Sequence, residues 1–399
     1  MGLIFFTKFT KSLEDSNHPL LGPVLWSLDV AGMWKSNNNI LSKVTMIQVA
    51  AVVTLITEFI ELWFIRSDMG RALRNLSVSA LSLSCVFKSC TFVLWQKDWR
   101  LVIDYASSLE KEQLRKNDRI VNGIIREYTK YSRNIMYFYW CLCFCTVLAM
   151  ILSPLFIYWS SSEQRELIRN GSLPYPEILS SWAPFDKSRG YGYAVMVVEH
   201  ILMCIYGSLT VASYDSNAVV LMTFFFGQLK ILKENCKRVF IDDRNSQSVQ
   251  RIFECHHHHV QLIKHAKILN SVLSPVLFLY IVICSLMICA SATQLTEEGT
   301  TTMQQLYITE YLGALVTQLF IYCWHSNKVY AMSRTVVDGV YFSQWWSQGV
   351  RMRRNVLLLS GQMNKIIAFS AGPFTDLNIS TFVAILKASY SYYTFLKQK

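Results

Sequence analysis

Four consecutive histidines next to a cysteine form the most conspicuous group of possible metal ligands in this sequence. The segment CHHHHVQLIKH covers residues 255–265, and a metal site built on it would use Cys255, His259 and His265. On a helix, consecutive side chains point in different directions, and only residues three or four positions apart converge. A solvated or partly packed helix face is therefore the preferred interpretation, and we predict no metal site.

Carboxylates inside apolar segments form a second group with chemical potential. These are Glu58, Glu61, Glu199 and Glu310, and no two of them have a spacing that indicates an acid–base pair. Ionisable residues within a membrane are candidates for functional roles, and a polar pocket or a helix contact fits these better than an active site. The sequence also contains no GxSxG, HExxH, Walker or Gly-rich dinucleotide motif. We therefore predict neither enzymatic activity nor a cofactor.

The composition indicates a membrane protein. The 399 residues are 52% hydrophobic and only 16% charged, with a mean hydropathy of +0.27, whereas soluble domains are about 25% charged. The net charge of +11 suggests nucleic acid at first, but membrane proteins also carry an excess of Lys and Arg in their cytoplasmic loops. Residues 1–40 lack the pattern of a cleavable signal peptide, so we expect the N-terminus to lie in the cytosol.

Seven apolar segments are long enough for transmembrane helices, which need about 20 residues each. They cover residues 41–65, 72–95, 134–160, 189–213, 268–294, 303–326 and 377–398.

The distribution of basic residues gives the orientation. The segments at the N-terminus and after the second, fourth and sixth spans contain 27 Lys and Arg residues, and the alternate loops with the C-terminal end contain 9. Basic residues favour the cytoplasmic side, so we predict a cytosolic N-terminus and an extracellular C-terminus. The sequons at Asn75 and Asn170 then lie outside and are predicted glycosylation sites.

The cytosolic segments have helical periodicity themselves. In residues 99–133 and 222–268, apolar side chains recur at helical spacing between charged ones. We expect spans three to five to continue into the cytosol as amphipathic helices. Because such apolar faces need partners, we predict a cytosolic helical bundle between subunits. The fold class is thus an all-α membrane protein with seven transmembrane helices and inner extensions that form an anchor bundle.

A seven-helix fold raises the question of a G-protein-coupled receptor. The predicted orientation is inverted for that class, NPxxY is missing near the last span, and no cysteine lies in an outer loop to form the usual disulfide. A metabotropic receptor of this kind remains the less favoured alternative.

The C-terminal segment 341–396 resembles the terminal signature of insect odorant receptors. The shared pattern is a Trp-containing cytosolic helix, a basic patch, an apolar link and a last span with Thr-Phe and Lys-x-Ser-Tyr-Ser-Tyr. In this sequence the pattern consists of Trp345 and Trp346, Arg351, Arg353 and Arg354, Ala371, Gly372 and Phe374, Thr381 and Phe382, and Lys387, Ser389, Tyr390, Ser391 and Tyr392. Phe395 is a departure, because many members have a smaller aliphatic residue there. A gustatory-type receptor channel of the same fold is the alternative, although its last helix usually ends in a different motif.

The resemblance implies a ligand-gated, non-selective cation channel in the plasma membrane of olfactory neuron dendrites. It would be a tetramer formed with odorant co-receptor subunits, and a small volatile organic ligand would open it. Three sections are implied: residues 1–330 with six spans, the pocket and the cytosolic extensions, residues 331–376 with the anchor helix and link, and residues 377–399 with the pore-lining helix.

The resemblance also implies candidate site residues. A pocket among spans two to six, counted by depth from their outer ends, would use Ser84, Phe87, Thr146, Met150, Ser153, Tyr193, Met196, His200, Ser285, Ile288, Tyr307 and Tyr311. The pore and gate would use Ser391, Thr394, Phe395 and Gln398, and the subunit anchor Trp345, Trp346 and Tyr390. Thr375 and Asp376, just after Pro373, predict the cap at which the last helix begins.

Overall fold

The computed structural model describes residues 13–15, 17–34, 41–67, 69–160, 162–170, 175–187, 190–241, 245–295 and 302–397. The described helices are α1 (Gly22–Val30), α2 (Leu41–Ile65), α3 (Met69–Leu94), α4 (Gln96–Arg115), α5 (Arg119–Ser160), α6 (Ser162–Arg169), α7 (Gly190–Lys237), α8 (Asn245–Leu295), α9 (Thr302–Tyr341), α10 (Val350–Met363) and α11 (Ile379–Lys397). A 3₁₀ turn covers Trp345–Ser347, and the strands β1 (Ser370–Ala371) and β2 (Thr375–Asp376) form an antiparallel hairpin before α11.

Six of the described helices, α2, α3, α5, α7, α8 and α9, are long and apolar enough to cross a membrane. The last helix, α11, has 19 described residues and is the seventh. On α2 the apolar residues Met46, Val49, Val53, Ile56 and Trp63 are exposed. Exposed apolar surface of this extent is expected of a helix that faces lipid.

Four helices are much longer than a bilayer requires. α5, α7, α8 and α9 have 42, 48, 51 and 40 residues, against about 20 for one crossing. The expected cytosolic continuation of spans three to five is therefore present, and α9 continues in the same way. The predicted helical segment 99–133 is divided, because Asn117 has a positive φ of 50° and Asp118 caps α5. The Asp118 carboxylate accepts hydrogen bonds from the amides of Ile120 and Val121 at 2.8 and 3.3 Å.

The centre of the bundle is α7, which packs against α5 and α9 on either side. Every residue from 212 to 225 of this helix is buried, which means that neighbours surround it completely. Further along the chain, at Lys233, α7 also approaches α9 closely. A Cβ added at Gly339 of α9 would overlap the Lys233 carbonyl oxygen. The core is therefore organised around the lower half of α7, beyond the apolar span that ends at residue 213 in the sequence.

The start of α11 differs from the sequence prediction. Thr375 and Asp376 form β2, where they pair with Ala371 and Ser370, so they are not available as a helix cap. The helix begins three residues later, and the Asn378 side chain accepts a hydrogen bond from the Thr381 amide at 2.8 Å, the usual geometry of an N-cap. The hairpin is held by α8, because the Gly372 amide donates to the Ser274 carbonyl at 3.0 Å.

Candidate ligand cavity

A cavity of about 130 Å³ lies among the outer halves of α2, α3, α5, α7 and α9. Most of its wall is aliphatic, with Leu55, Leu81, Val147, Met150 and Leu315 among the lining side chains. Leu179, from the segment between α6 and α7, closes it toward the predicted outside. Concave, mainly apolar cavities with a few polar groups are typical of sites for small organic ligands.

The segment that covers the cavity, residues 175–187, is fixed to the helices below it. The Trp182 amide donates to the Thr57 carbonyl at 3.1 Å, and the Asn75 side chain donates to the Ser180 carbonyl at 2.9 Å. Lys187 forms ion pairs with Glu61 and Glu177 at 3.2 and 3.3 Å. The lid is therefore part of the folded bundle.

The polar groups on the upper wall belong mainly to α2. Glu58 is 1% exposed and lines the cavity, and its Oε1 accepts a hydrogen bond from Ser82 at 3.0 Å. One turn earlier, Thr54 also lines the cavity and donates to Glu199 of α7 at 2.5 Å. These residues make α2 a wall of the cavity. Because α2 is the first span, it lies outside the predicted pocket, which comprised spans two to six only.

An ion pair lies below the cavity. Lys88 of α3 and Asp215 of α7 are joined at 2.6 Å, with side chains only 1% and 3% exposed. The Asp215 carboxylate also accepts hydrogen bonds from Tyr322 at 2.6 Å, from Tyr139 at 2.6 Å and from Gln318 at 2.5 Å. Each of its oxygens thus has two donors, which is the arrangement that a buried carboxylate needs.

The ion pair connects to the cavity directly. Tyr139 and Gln318, which both donate to Asp215, also line the cavity. Lys88 lies within the second predicted span, 72–95, whereas Asp215 lies outside every predicted span. The only sequence signal was an acid two residues beyond the apolar run that ended at residue 213.

Three of the twelve predicted pocket residues line the cavity: Thr146, Met150 and Tyr311. His200 and Tyr307 lie in the shell around it. The His200 ring lies 2.8 Å from the Ser181 hydroxyl below the lid, and Tyr307 packs on the cluster formed by Met150, Leu179 and Cys204. Because these contacts are with protein groups, ligand contact at His200 and Tyr307 stays a prediction.

The other seven predicted pocket residues do not belong to the described cavity wall. Two of them make contacts with other elements: the Tyr193 hydroxyl donates to the lid at the Pro176 carbonyl, 3.1 Å away, and the Ser285 carbonyl faces Ser389 of α11. Depth along the membrane did not distinguish a cavity-facing side chain from one that faces a neighbouring helix. The seven residues are Ser84, Phe87, Ser153, Tyr193, Met196, Ser285 and Ile288.

The predicted pore and anchor residues are partly described. Ser391 is exposed and Thr394 half-buried on α11, the Phe395 side chain and Gln398 lie outside the described residues, and Tyr390 is 67% exposed. Trp346 is 56% exposed and Trp345 is half-buried at the inner end. α11 packs against α8 and α9, and Tyr390 and Ser391 are exposed on it. The roles of the predicted pore and anchor residues stay predictions.

The predicted glycosylation sites differ in accessibility. Asn170 is exposed at the end of α6, and its modification stays a prediction. Asn75 is 4% exposed, donates to the lid and accepts a hydrogen bond from Ser79 at 3.0 Å. A glycan is incompatible with this buried amide, which corrects the expectation for Asn75.

The histidine segment lies on the cytosolic part of α8. His265 stacks on Tyr105 with ring centroids 3.7 Å apart, whereas His259 and Cys255 are buried separately. Among the described residues, no group of three possible ligands converges on a metal position.

Comparison with known proteins places this fold among known receptors. A family model described as 7tm Odorant receptor matches residues 68–390. Odorant receptor Or2 of Anopheles gambiae is 21% identical over 359 residues, which cover 88% of this chain and 90% of that protein. Odorant receptor 82a of Drosophila melanogaster is 24% identical over 338 residues, which cover 83% and 85%.

A solved structure has the same fold. The olfactory receptor OR5 from Machilis hrabei in complex with eugenol superposes with a TM-score of 0.79 at 18% identity, and the match covers 96% of this chain and 100% of that chain. The predicted all-α fold with seven transmembrane helices is confirmed by this match and by the helices described above.

Proposed function

The chain belongs to the insect odorant receptor family, and on this premise we propose that it is a subunit of an odorant-gated, non-selective cation channel. The family is one of multi-pass membrane receptors rather than enzymes. In the proposal, the subunit forms a tetramer with odorant co-receptor subunits in the dendritic membrane of olfactory neurons. A small volatile molecule enters the cavity and opens a central pore lined by α11.

The observation that carries the proposal is the cavity itself. It is lined by five helices and by Leu179 of the fixed lid, and its wall is mainly apolar. An apolar ligand gains about 25 cal/mol for each Å² removed from water, of which a few kcal/mol remain after the ligand is immobilised. Micromolar affinity and broad selection by size follow from these values.

The surface of α11 supports the pore assignment. The helix contacts α8 and α9 on one side, through an edge-to-face contact of Phe320 and Phe382 with ring centroids 5.5 Å apart and through the Ser389 hydrogen bond to α8. Its other side leaves Tyr390, Ser391 and Tyr392 exposed. In a four-fold assembly this side would face either a neighbouring subunit or water in a central pore.

The apolar surface at the inner end supports assembly. Val350, Leu357 and Leu358 are 83%, 73% and 70% exposed around α10, beyond the predicted membrane segments. Large exposed apolar groups outside the lipid indicate a protein partner. We assign this surface to contacts between subunits.

The test is electrophysiology of the chain co-expressed with the odorant co-receptor. We expect odorants of about six or seven heavy atoms to evoke a cation current, and Tyr311→Ala to shift the half-maximal concentration by about ten-fold, because the ring of Tyr311 is 8% exposed and lines the cavity. Tyr330→Ala, on the same helix but outside the cavity wall, is the matched control.

The pore assignment is tested in the same cells. Phe395→Ala should change the basal current or the permeability ratio without changing the odorant selectivity. Absence of current from a chain verified at the cell surface, over a broad odorant panel, would contradict the channel proposal.

A further inference from the structure

Glu58 is the most unusual group in the cavity wall. Its side chain is 1% exposed, it lines the cavity, and its Oε2 has no hydrogen-bond partner among the described residues. Ser82 donates to the other oxygen, and the nearby Ser79 donates instead to Asn75. A buried carboxylate oxygen without a donor is costly, so this atom is available to a ligand.

No ion pair of the described residues includes Glu58. Among the described residues, ion pairs at the outer end join Lys187 to Glu61 and Glu177, and Lys88 is paired with Asp215. Glu58 has no Lys or Arg partner among these pairs, and its nearest described donor is a hydroxyl.

Two other acids, both only partly buried, contact residues of the cavity wall. Glu199 accepts from Thr54 and lies 3.5 Å from the His200 ring, and Glu310 accepts from Thr146 at 2.8 Å. Neither Glu199 nor Glu310 lines the cavity, whereas Glu58 does. A cation in the cavity would therefore pair with Glu58.

We propose that the cavity selects small organic amines, bound as ammonium ions, and that Glu58 is their counter-ion. The inference rests on the proposed function, because it names the ligand class for the same cavity. The ammonium group donates a hydrogen bond to Glu58 Oε2, and the hydrocarbon part contacts the aliphatic wall. Tyr311, whose hydroxyl is buried without a partner among the described residues, offers a second polar contact.

Charge distinguishes amines from alcohols here. An alcohol also donates one hydrogen bond to a carboxylate, but it leaves the negative charge without a counter-ion in a medium of low dielectric constant. Because a hydrogen bond with one ionised partner is already stronger than a neutral one, the difference between the two ligands lies in the charge of the ammonium, which neutralises the carboxylate. An amine should therefore bind more tightly than an alcohol of the same size.

The cavity volume sets the ligand size. A cavity of about 150 Å³ in another protein binds benzene, and this cavity has about 130 Å³. A ligand of about six or seven heavy atoms, close to benzene in size, matches this volume. Hexylamine, 1-hexanol and heptane have the same number of heavy atoms and differ only in the terminal group, so they form a matched series.

The experiment measures currents from the chain co-expressed with the odorant co-receptor. We expect the half-maximal concentration of hexylamine to be about ten-fold below that of 1-hexanol, with heptane weakest. Glu58→Gln keeps the size of the side chain and removes its charge. It should raise the value for hexylamine by about ten-fold or more and change that for 1-hexanol by less than about three-fold.

Glu310→Gln is the matched control, because it removes a partly buried carboxyl of α9 that accepts from Thr146 and does not line the cavity. We expect it to leave the ratio between amine and alcohol unchanged. Equal potency of the two ligands on the unmodified chain would overturn the proposal. An equal shift of both ligands by Glu58→Gln, or the same shift by Glu310→Gln, would also overturn it.

A binding measurement separates this inference from the channel proposal. Hexylamine should raise the melting temperature of the purified, unmodified chain more than 1-hexanol does at the same concentration. Such stabilisation without current would contradict the channel proposal and keep the amine assignment. Currents evoked by other odorants but not by hexylamine up to about 1 mM would contradict the amine assignment and keep the channel proposal. If Glu58→Gln fails to fold, the unmodified chain still decides the question.

Discussion

Removing one partner of the Lys88–Asp215 ion pair should destabilise the receptor strongly and unequally. Without Lys88, the Asp215 carboxylate keeps three donors, from Tyr139, Gln318 and Tyr322. Without Asp215, the Lys88 ammonium keeps only aromatic faces among its described contacts, with the Tyr280 and Tyr214 ring centroids at 5.0 and 5.8 Å. The cation therefore depends on its partner more than the carboxylate does.

The magnitudes follow from this difference. Breaking a buried ion pair from one side costs about 3–5 kcal/mol, and we expect Asp215→Asn to fall in this range. Lys88→Met should cost about 1–3 kcal/mol, because three neutral donors continue to stabilise the carboxylate. The double variant removes both charges and should recover about 2 kcal/mol relative to the sum of the single variants.

The assay is the free energy of unfolding of the purified chain in mixed detergent micelles, completed as a double-mutant cycle. Lys230→Met is the control, since Lys230 pairs with Glu127 at 2.7 Å but with side chains 34% and 68% exposed, and such pairs contribute at most about 1 kcal/mol. Additive single changes, or a change for Asp215→Asn no larger than the control, would refute the reasoning.

Two further predictions concern the lower part of the bundle. Gly339→Ala should lower the melting temperature markedly, because the new Cβ would overlap the Lys233 carbonyl oxygen. Gly313→Ala is the control on the same helix and should not lower it, because no atom lies within 4 Å of its new Cβ. Equal melting temperatures of the two variants would contradict the close contact at Gly339. Burial raises the pKa of Glu110, although Tyr128 donates to it at 2.9 Å. The Glu110 carboxyl therefore binds a proton more readily in the folded chain than in the unfolded chain. The free energy of unfolding should increase as the pH falls from the raised pKa of Glu110 toward the ordinary glutamate pKa of about 4.3. Glu110→Gln should remove the contribution of Glu110 to the pH dependence of the melting temperature. Identical pH profiles of the variant and the unmodified chain would contradict this prediction.

The transmembrane helices could be predicted because their signals are local. The first predicted span, 41–65, coincides with α2, and the amphipathic segments 99–133 and 222–268 fall largely within helices that extend below the membrane. An apolar run of about 20 residues is sufficient for a span, and helical spacing of apolar residues is sufficient for an extension.

The cavity wall could not be predicted in the same way. Ser285 and Thr146 were chosen by the same depth criterion, yet Thr146 lines the cavity and Ser285 faces α11. Depth depends on the position along the helix, whereas orientation depends on the rotation of the helix against its neighbours. The ion pair was missed for a related reason, since Lys88 and Asp215 are 127 positions apart and only the packing of α3 on α7 brings them together.

The arrangement of α9 explains how an occupied cavity could influence the pore. Tyr311 and Gln318 line the cavity, and Gln318 also donates to Asp215. Phe320 follows within the same turn and makes an edge-to-face contact with Phe382 of α11, with ring centroids 5.5 Å apart. Because a single continuous helix makes all three contacts, a ligand that changes the position of α9 acts on the ion pair and on the last helix together. Under the proposed function, gating then requires only that the ligand bind more tightly to the open arrangement of α9 than to the closed one.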